Sequence, residues 1–194
     1  MMYILGQGGH AKVLNDMVGC SEYTKQICKD EEHLIEPKDD LVMGIGDINT
    51  RWEAFERYPP DQFFTVVHPQ AFVSLRARLA RGVAVMAMAV VNAGAQIEDN
   101  VLINTGAQVD HDCIVGPHTV IAPGAVLCGR VELGVACKIG AGAIILEGVK
   151  LPDGTGVPAA TLVVSEDDWR MSPPRGSLKP FIGGLTSNEK ETEK

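Results

Sequence analysis

A strict six-residue period of aliphatic residues constrains the fold of this chain more than any other feature. Every sixth residue from Val73 to Val163 is Val, Leu or Ile. The residue two places before each of these, from Ala77 to Thr161, is Ala, Val, Cys or Thr. Neither an α-helix nor an alternating strand has a period of six, whereas a hexapeptide-repeat β-helix does. The two columns therefore predict a triangular prism in which each hexad forms one short strand and one corner, with both columns facing inward.

The period also predicts which residues are neighbours. Three hexads close one coil of eighteen residues, so residues eighteen apart should stack at the usual spacing of about 4.7–4.9 Å between strands. Glycines such as Gly106 and Gly124 fall where the corners need turn conformations. The handedness of the prism does not follow from the period, because the general rule for parallel crossovers would favour a right-handed connection.

The first 68 residues lack this period and predict a separate small unit. Its predicted elements are a strand at 3–5, a helix at 12–18, a strand at 41–45, a helix at 50–57 and a strand at 63–67. Between the first strand and the first helix, residues 6–11 fit the pattern G-x-G-x-x-A, whose backbone amides could hold a phosphate. Such a β-α-β unit is about half the size of a dinucleotide domain, which favours a mononucleotide. A purely structural tight turn is the alternative.

Composition argues against several classes of partner. The 194 residues include 17 Lys and Arg against 25 Asp and Glu, a formal net charge of −8, which argues against nucleic acid and anionic membranes. No run of eighteen apolar residues and no signal-peptide pattern is present. The five cysteines include no C-x-x-C pair, so we expect neither a disulfide framework nor a metal site. We expect a cytoplasmic protein that binds small molecules.

The segment Asp110-His111-Asp112 is the candidate for chemistry. Cys113 belongs to the inward column of small residues, so the three residues before it should cover a corner that faces solvent. Gly129 lies eighteen residues after His111, so a base and an unobstructed N–H should lie close together. Acyl transfer from a thioester needs such a pair, because one group takes the acceptor's proton and the other stabilises the oxyanion. Either flanking aspartate could fix the imidazole tautomer. A surface histidine paired with its flanking acids is the alternative.

Residues 2–164 resemble the left-handed β-helix acyltransferases of the bacterial nucleotide-sugar type. These enzymes N-acetylate UDP- or GDP-linked 4-amino sugars, and sialic acid O-acetyltransferases are their relatives. The segments that carry the resemblance are ILGQGGHAKV at 4–13, GIGD at 44–47 with Arg51, HP at 68–69, NTG at 104–106 and VDHDC at 109–113. We therefore predict a Rossmann-like β-α-β domain over residues 1–68 and a left-handed parallel β-helix over residues 69–164. The tail over residues 165–194 is expected to be partly disordered, because its last residues are charged and lack apolar anchors.

The resemblance also implies partners and site residues. It implies a homotrimer with active sites between neighbouring prisms, acetyl-CoA as donor and a nucleotide-linked amino sugar as acceptor. The implied catalytic residues are His111 as general base, Asp112 as the residue that orients it, and Gly129 as the donor to the thioester carbonyl. The implied donor contacts are Gly129, Lys138, Gly140 and Ala141. The implied acceptor contacts are Gly8, Gly9, His10, Asp30 and Asp47.

Two departures limit what the resemblance carries over. The family commonly has a second histidine in the coil after the catalytic one, where this chain has Val120, with His118 two places earlier. No donor contact carries over at that position. The segment at 165–176 also replaces the family's usual glycine- and proline-containing ending, so no adenine contact carries over either.

Three other functions stay open at this point. A sugar or sialic acid O-acetyltransferase would use the same histidine. A γ-type carbonic anhydrase would bind zinc through His111 and His118, although that class calls for a closer histidine pair and a third histidine within the prism. A non-catalytic scaffold would use the small domain as a nucleotide sensor and leave the Asp110-His111-Asp112 corner merely solvated.

Overall fold

The computed structural model describes residues 1–18, the backbone of residues 24–27, and residues 35–168. The N-terminal unit contains a parallel sheet in the order β2-β1-β3. Its elements are β1 (Met2–Leu5), α1 (Gly9–Val18), β2 (Thr24–Ile27), β3 (Asp40–Met43), α2 (Ile48–Glu56) and a 3₁₀ turn (Pro60–Gln62). The predicted strand–helix–strand order is present, but three short strands and two helices are too few to establish a Rossmann-like domain, so that assignment stays a prediction.

The rest of the described chain is a parallel β-solenoid of two-residue strands, as the six-residue period predicts. The strands are β4 (Val66–Val67), β5 (Phe72–Val73), β6 (Arg78–Leu79), β7 (Ala84–Val85), β8 (Val90–Val91), β9 (Gln96–Ile97), β10 (Leu102–Ile103), β11 (Gln108–Val109), β12 (Ile114–Val115), β13 (Val120–Ile121), β14 (Val126–Leu127), β15 (Glu132–Leu133), β16 (Lys138–Ile139), β17 (Ile144–Ile145), β18 (Lys150–Leu151), β19 (Gly156–Val157) and β20 (Leu162–Val163). They form sheets of six, six and five strands. We call these the first face (β4 to β19), the second face (β5 to β20) and the third face (β6 to β18).

The register of the solenoid is eighteen residues throughout. Leu102 pairs with Val120, for example, and Ile103 pairs with Ile121. Both inward columns form one continuous core, which is fully covered from Val83 to Ile145 and looser at the open lower end near Val73. The inward hydroxyl of Thr119 donates to the Gly134 carbonyl at 3.1 Å, which satisfies a buried polar group inside this core.

The N-terminal unit packs on the first face of the solenoid. The outward residues Ala84, Leu102 and Val120 are buried there against Ile4 and Leu14. The predicted strand at 63–67 is divided between the two parts of the chain. Phe63 makes an isolated parallel bridge to Leu41 of the small sheet, whereas β4 already pairs with β7 of the solenoid.

Arg51 joins the two parts of the molecule. Its side chain is fully buried and donates to four main-chain carbonyls: Nε to Asn100 at 3.1 Å, Nη1 to Met43 and Ile45 at 3.1 Å each, and Nη2 to Gly82 at 3.2 Å. Two of these acceptors belong to the small unit and two to corners of the solenoid. Burial lowers the pKa of this guanidinium to about 9.

His118 is part of the same joint between the small unit and the solenoid. Its ring stacks on Trp52 with centroids 4.7 Å apart and meets Phe55 edge-on at 5.5 Å. Burial, with a smaller contribution from the charge of Arg51, lowers the pKa of His118 to about 4. Val120 is covered by the small unit in the same region. Both residues are therefore packed against the N-terminal unit.

In the described part of the chain, no helix is long and apolar enough to cross a bilayer. Residues 169–194, which hold most of the predicted tail, lie outside that part.

Candidate active site

His111 lies at the corner between the second and third faces, next to a carboxylate that orients its ring. The imidazole Nδ1 lies 3.0 Å from Asp112 Oδ2. Asp112 adopts a left-handed conformation with φ of 57°, which any residue with a Cβ adopts at some cost. Because a carboxylate accepts hydrogen bonds, Nδ1 carries the proton in the neutral ring and Nε2 is left as the acceptor. The tautomer therefore suits a general base that acts through Nε2.

Gly129 lies directly over this ring, at the place that the eighteen-residue register predicts. A Cβ at this position would lie 2.6 Å from both Cε1 and Nε2 of His111. The neighbouring Cys128 and Arg130 N–H groups donate to Ile145 and His111 carbonyls at 2.9 Å. By contrast, the Gly129 N–H donates to no acceptor within the residues that the structure describes. The residue that faces the imidazole Nε2 therefore carries a free main-chain donor.

The charges around His111 favour its protonated form. The hydrogen bond to Asp112 is the main cause that raises the pKa of His111, and the charges of Asp110 and Asp112 add to it. The charge of Arg130 acts in the opposite direction. This arrangement stabilises an imidazolium, which is the species that a general base becomes after it accepts a proton.

The two aspartates have different partners. Asp112 contacts the imidazole, whereas Asp110 Oδ1 accepts the main-chain N–H of His111 at 2.8 Å. The same oxygen accepts a hydrogen bond from Asn92 Nδ2 at 2.8 Å. The His111 and Asn92 hydrogen bonds lower the pKa of Asp110, in that order. The sequence left open which aspartate orients the ring, and the geometry assigns that contact to Asp112.

An open groove runs from His111 up the same corner towards the C-terminal coils. Its lining residues are Asp110, His111, Cys128, Gly129, Leu146, Glu147 and Val164. Leu146 and Val164 follow Cys128 at intervals of eighteen residues, so one wall of the groove is apolar. Burial is the main cause that raises the pKa of the Cys128 thiol, which disfavours the thiolate form that a cysteine nucleophile needs. The same eighteen-residue spacing in the sequence could have predicted the lining residues Leu146 and Val164, which the sequence reasoning missed.

The predicted donor contacts Gly140 and Ala141 lie at a different corner, between the first and second faces. A Cβ at Gly140 would lie 2.3 Å from the Ala159 nitrogen, so the coil above already requires a glycine there. Lys138 is exposed on the first face, and its charge is one of the lesser causes that lower the pKa of Asp47. Within one chain, the second face therefore separates these residues from His111.

Four of the five predicted acceptor residues follow the ends of β1 and β3. Gly8 and Gly9 are exposed, with no atom within 4 Å of a Cβ built on either, and α1 starts at Gly9 with no acidic residue in its first turn. Asp47 caps α2, because its carboxylate accepts the Thr50 N–H at 3.0 Å. Asp30 lies outside the described residues.

His10 lies between these loops with an unpaired ring nitrogen. Its Nε2 is buried and has no hydrogen-bond partner among the described residues. Burial, with the charge of Arg51 as a smaller cause, lowers the pKa of His10 to about 4. The ring is therefore neutral at physiological pH and offers one unused polar atom to a ligand.

The described residues offer no metal centre. Among them, no group of three or more His, Cys, Asp or Glu side chains is placed to hold a metal ion. His111 and His118 lie at different corners of the prism, and His118 is held in the joint by Trp52. The geometry gives the carbonic anhydrase alternative no support.

Comparison with known proteins connects this geometry to a family. Residues 94–129 match the family described as bacterial transferase hexapeptide (six repeats). The structure of PerB from Caulobacter crescentus, in complex with CoA and GDP-perosamine, is 32% identical over 84% of this chain and 88% of that one, with a TM-score of 0.65. The chain belongs to the left-handed β-helix acetyltransferases. The acetyltransferase domain of PglB from Neisseria gonorrhoeae agrees, with 28% identity, a TM-score of 0.76, and coverage of 84% of this chain and 91% of that one.

This acetyltransferase also has a curated relative whose name describes an acyltransferase that acts on a nucleotide-linked sugar. UDP-3-O-acylglucosamine N-acyltransferase from Albidiferax ferrireducens is 36% identical over 90 residues. The match covers 44% of this chain and 27% of that protein. The acetyltransferase described here therefore matches about a quarter of the length of this curated relative.

Proposed function

We propose that the chain transfers an acetyl group from acetyl-CoA to the amino group of a UDP- or GDP-linked 4-amino sugar. The observation that carries the proposal is that His111, held at Nδ1 by Asp112, lies directly under Gly129, whose main-chain N–H has no acceptor among the described residues. A base next to an oxyanion donor is the arrangement that acyl transfer from a thioester requires.

In this proposal each residue of the corner has one task. His111 Nε2 takes a proton from the acceptor's amine as its nitrogen attacks the thioester carbonyl carbon. The Gly129 N–H donates to the carbonyl oxygen as that oxygen gains negative charge. Asp112 stabilises the imidazolium, which then gives its proton to the leaving sulfur of CoA. The C–S bond breaks, the amide forms, and the ring returns to its neutral state.

The donor is supported by relatives and by the shape of the groove. The acetyltransferase domain of PglB has been solved in complex with acetyl coenzyme A, with a TM-score of 0.75 and 28% identity to this chain. The groove above His111 has an apolar wall formed by Leu146 and Val164, which suits the aliphatic part of a pantetheine chain. Gly129, Lys138, Gly140 and Ala141 remain the proposed donor contacts.

The acceptor is supported by the N-terminal unit. Exposed main-chain amides at Gly8 and Gly9, at the N-terminus of α1, suit the phosphates of a nucleotide. The buried Nε2 of His10 has no partner among the described residues and suits a polar group of the bound sugar. Asp47 and Asp30 complete the proposed acceptor contacts. PerB has been solved with GDP-perosamine.

A homotrimer would bring the separated parts of the site together. The outward column of the second face is apolar except for Gln108, and its members Phe72, Ile144 and Leu162 are 58%, 39% and 55% exposed. This face lies between the His111 corner and the Gly140 corner. If three chains pack through their second faces around a threefold axis, opposite edges of neighbouring faces meet. The His111 corner of one chain would then approach Lys138, Gly140 and Ala141 of the next.

The proposal is tested by a panel of UDP- and GDP-linked 4-amino sugars incubated with acetyl-CoA. Free CoA is detected with a thiol reagent, and the product is analysed by mass spectrometry. We expect an N-acetylated product with at least one acceptor and loss of most turnover in His111→Ala. Gln96→Ala is the control, since Gln96 is exposed on the third face. No CoA release with any amino sugar would refute the proposal, and release with sialic acid alone would replace it by O-acetylation. Full activity in His111→Ala would remove the proposed base.

The trimer is tested separately by light scattering. A mass three times that of the 20.8 kDa chain is expected. Phe72→Glu combined with Leu162→Glu should yield monomers, because it places unpaired charges in the proposed interface. A monomeric wild-type protein with full activity would contradict the shared site.

A further inference from the structure

The coil below His111 contacts both of the aspartates that flank it. Asn92 lies eighteen residues before Asp110, and Gly94 lies eighteen residues before Asp112. Gly129, by contrast, lies in the coil above His111. Asn92 and Gly94 contact the side chains of Asp110 and Asp112. The role that follows from these contacts is to position those side chains.

Asn92 fixes the carboxylate beneath the main chain of His111. Its Nδ2 donates to Asp110 Oδ1 at 2.8 Å, and the same oxygen accepts the His111 N–H at 2.8 Å. One oxygen therefore joins the lower coil to the backbone of the proposed base. Asn92 itself is held by its own main chain, because its N–H donates to the Val109 carbonyl at 2.9 Å.

Gly94 leaves the space that the Asp112 carboxylate occupies. A Cβ at position 94 would lie 2.2 Å from Asp112 Oδ1 and 3.3 Å from its Cγ. The other carboxylate oxygen, Oδ2, is the one that contacts His111 Nδ1. Since Asp112 is 63% exposed, a side chain at position 94 would push its carboxylate outward into solvent. The contact with the imidazole would then be lost.

We propose that Asn92 and Gly94 are positioning residues for the catalytic corner, with Gly94 admitting the Asp112 carboxylate and Asn92 fixing Asp110 under the His111 backbone. The inference rests on the proposed function, because it assumes that His111 is the base. Together with Gly129 above the ring, it makes the orientation of His111 a property of three successive coils.

The first test compares Gly94→Ala with Gly154→Ala. Both glycines have positive φ, 77° and 69°, so alanine strains the backbone similarly at both, but a Cβ at Gly154 meets no atom within 4 Å. We expect Gly94→Ala to lower kcat by about 10- to 100-fold through the displaced ring partner. The pKa of His111, measured by NMR titration, should also fall in this variant. Gly154→Ala should lose the same thermal stability while keeping kcat and the pKa of His111. Equal kcat and equal His111 pKa in the two variants would overturn the role of Gly94.

A double-mutant cycle identifies the route of the effect. If Gly94 acts through Asp112, adding Gly94→Ala to Asp112→Asn should cost little more activity than Asp112→Asn alone. Additive losses would overturn the proposed route. The NMR titration needs no substrate, so it tests the coupling even if the amino-sugar assay fails.

The second arm tests Asn92, where no backbone strain is involved. Asn92→Ala should lower kcat several-fold at unchanged KM for acetyl-CoA, because the groove above His111 is untouched. Asn92→Asp cannot donate to Asp110 and places a second carboxylate against it, so it should be worse than alanine. The control is Gln96→Ala, an exposed polar residue four positions along the same coil. A wild-type kcat in both Asn92 variants would overturn the role of Asn92.

Discussion

Gly129→Ala should separate activity from stability. The added methyl group would point at the imidazole, since a Cβ at 129 lies 2.6 Å from Cε1 and Nε2 of His111. Ordinary contact begins at 3.4 Å, so the ring or the methyl group must move by about 0.8 Å. The His111 ring is 44% exposed and can turn outward, so we expect the ring to move.

The expected magnitude follows from that displacement. A misplacement of roughly 1 Å in a catalytic group costs about 100-fold in rate, which corresponds to about 2.7 kcal/mol in the activation free energy. The free energy of unfolding should not fall, because the φ of Gly129 lies outside the left-handed region. At such a position alanine stabilises a protein by about 0.4–1 kcal/mol, since it lowers the conformational entropy of the unfolded chain. The variant should therefore be folded, at least as stable as the wild type, and nearly inactive.

The assay measures kcat and KM for acetyl-CoA together with a denaturant unfolding curve. A double variant with His111→Ala supplies the control, because Gly129→Ala should cost little once the ring has been removed. Wild-type kcat in Gly129→Ala would refute the contact between the two residues. A further 100-fold loss in the double variant would show that Gly129 acts independently of the imidazole.

Three other outcomes follow from the structure. His111 must be neutral to accept a proton, and its hydrogen bond to Asp112 is the main cause that raises its pKa. Asp112→Asn should therefore shift the acidic limb of the kcat/KM profile to lower pH. It should also reduce the plateau of that profile by about 100-fold or more. An unshifted limb would contradict that contact. For His118, a folded pKa of about 4 against 6.5 in the unfolded chain means that stability is full above pH 6.5 and falls as the pH drops towards 4. His118→Phe should remove about 1 kcal/mol of the stability that is lost between pH 7.5 and 5.5 in chemical denaturation, and an unchanged pH slope would contradict the buried neutral ring. Lys138→Gln should raise KM for acetyl-CoA about ten-fold by loss of a phosphate contact, whereas a rise only in KM for the nucleotide sugar would assign Lys138 to its neighbour Asp47.

The solenoid could be predicted from the sequence because its pattern is local and redundant. Every hexad repeats the same requirement for one aliphatic and one small inward residue, so the period is visible many times over. The same spacing correctly placed Gly129 over His111. It would also have placed Asn92 under Asp110, since the rule works equally in both directions along the stack.

The remaining features depend on contacts between distant parts of the chain. Nothing near His118 in the sequence indicates that Trp52, 66 residues earlier, covers its ring. One feature of the sequence indicates that another part of the chain covers the first face. Leu102 and Val120 are apolar although they occupy outward positions of their strands. The choice between Asp110 and Asp112 as ring partner depended on the left-handed backbone at Asp112, which residue type alone does not dictate.

The uninterrupted eighteen-residue register restricts how this chain can gain or lose residues. A deletion of six residues between Gly94 and Asp110 would preserve the inward columns, but it would turn every later corner by a third of a revolution. His111 would then lie above a corner that offers neither Gly94 nor Asn92, and Gly129 would still lie over it. Only insertions or deletions of a whole coil keep every corner aligned. Length variants that fold but lack activity should therefore be common among six-residue changes and rare among eighteen-residue changes placed away from these three coils.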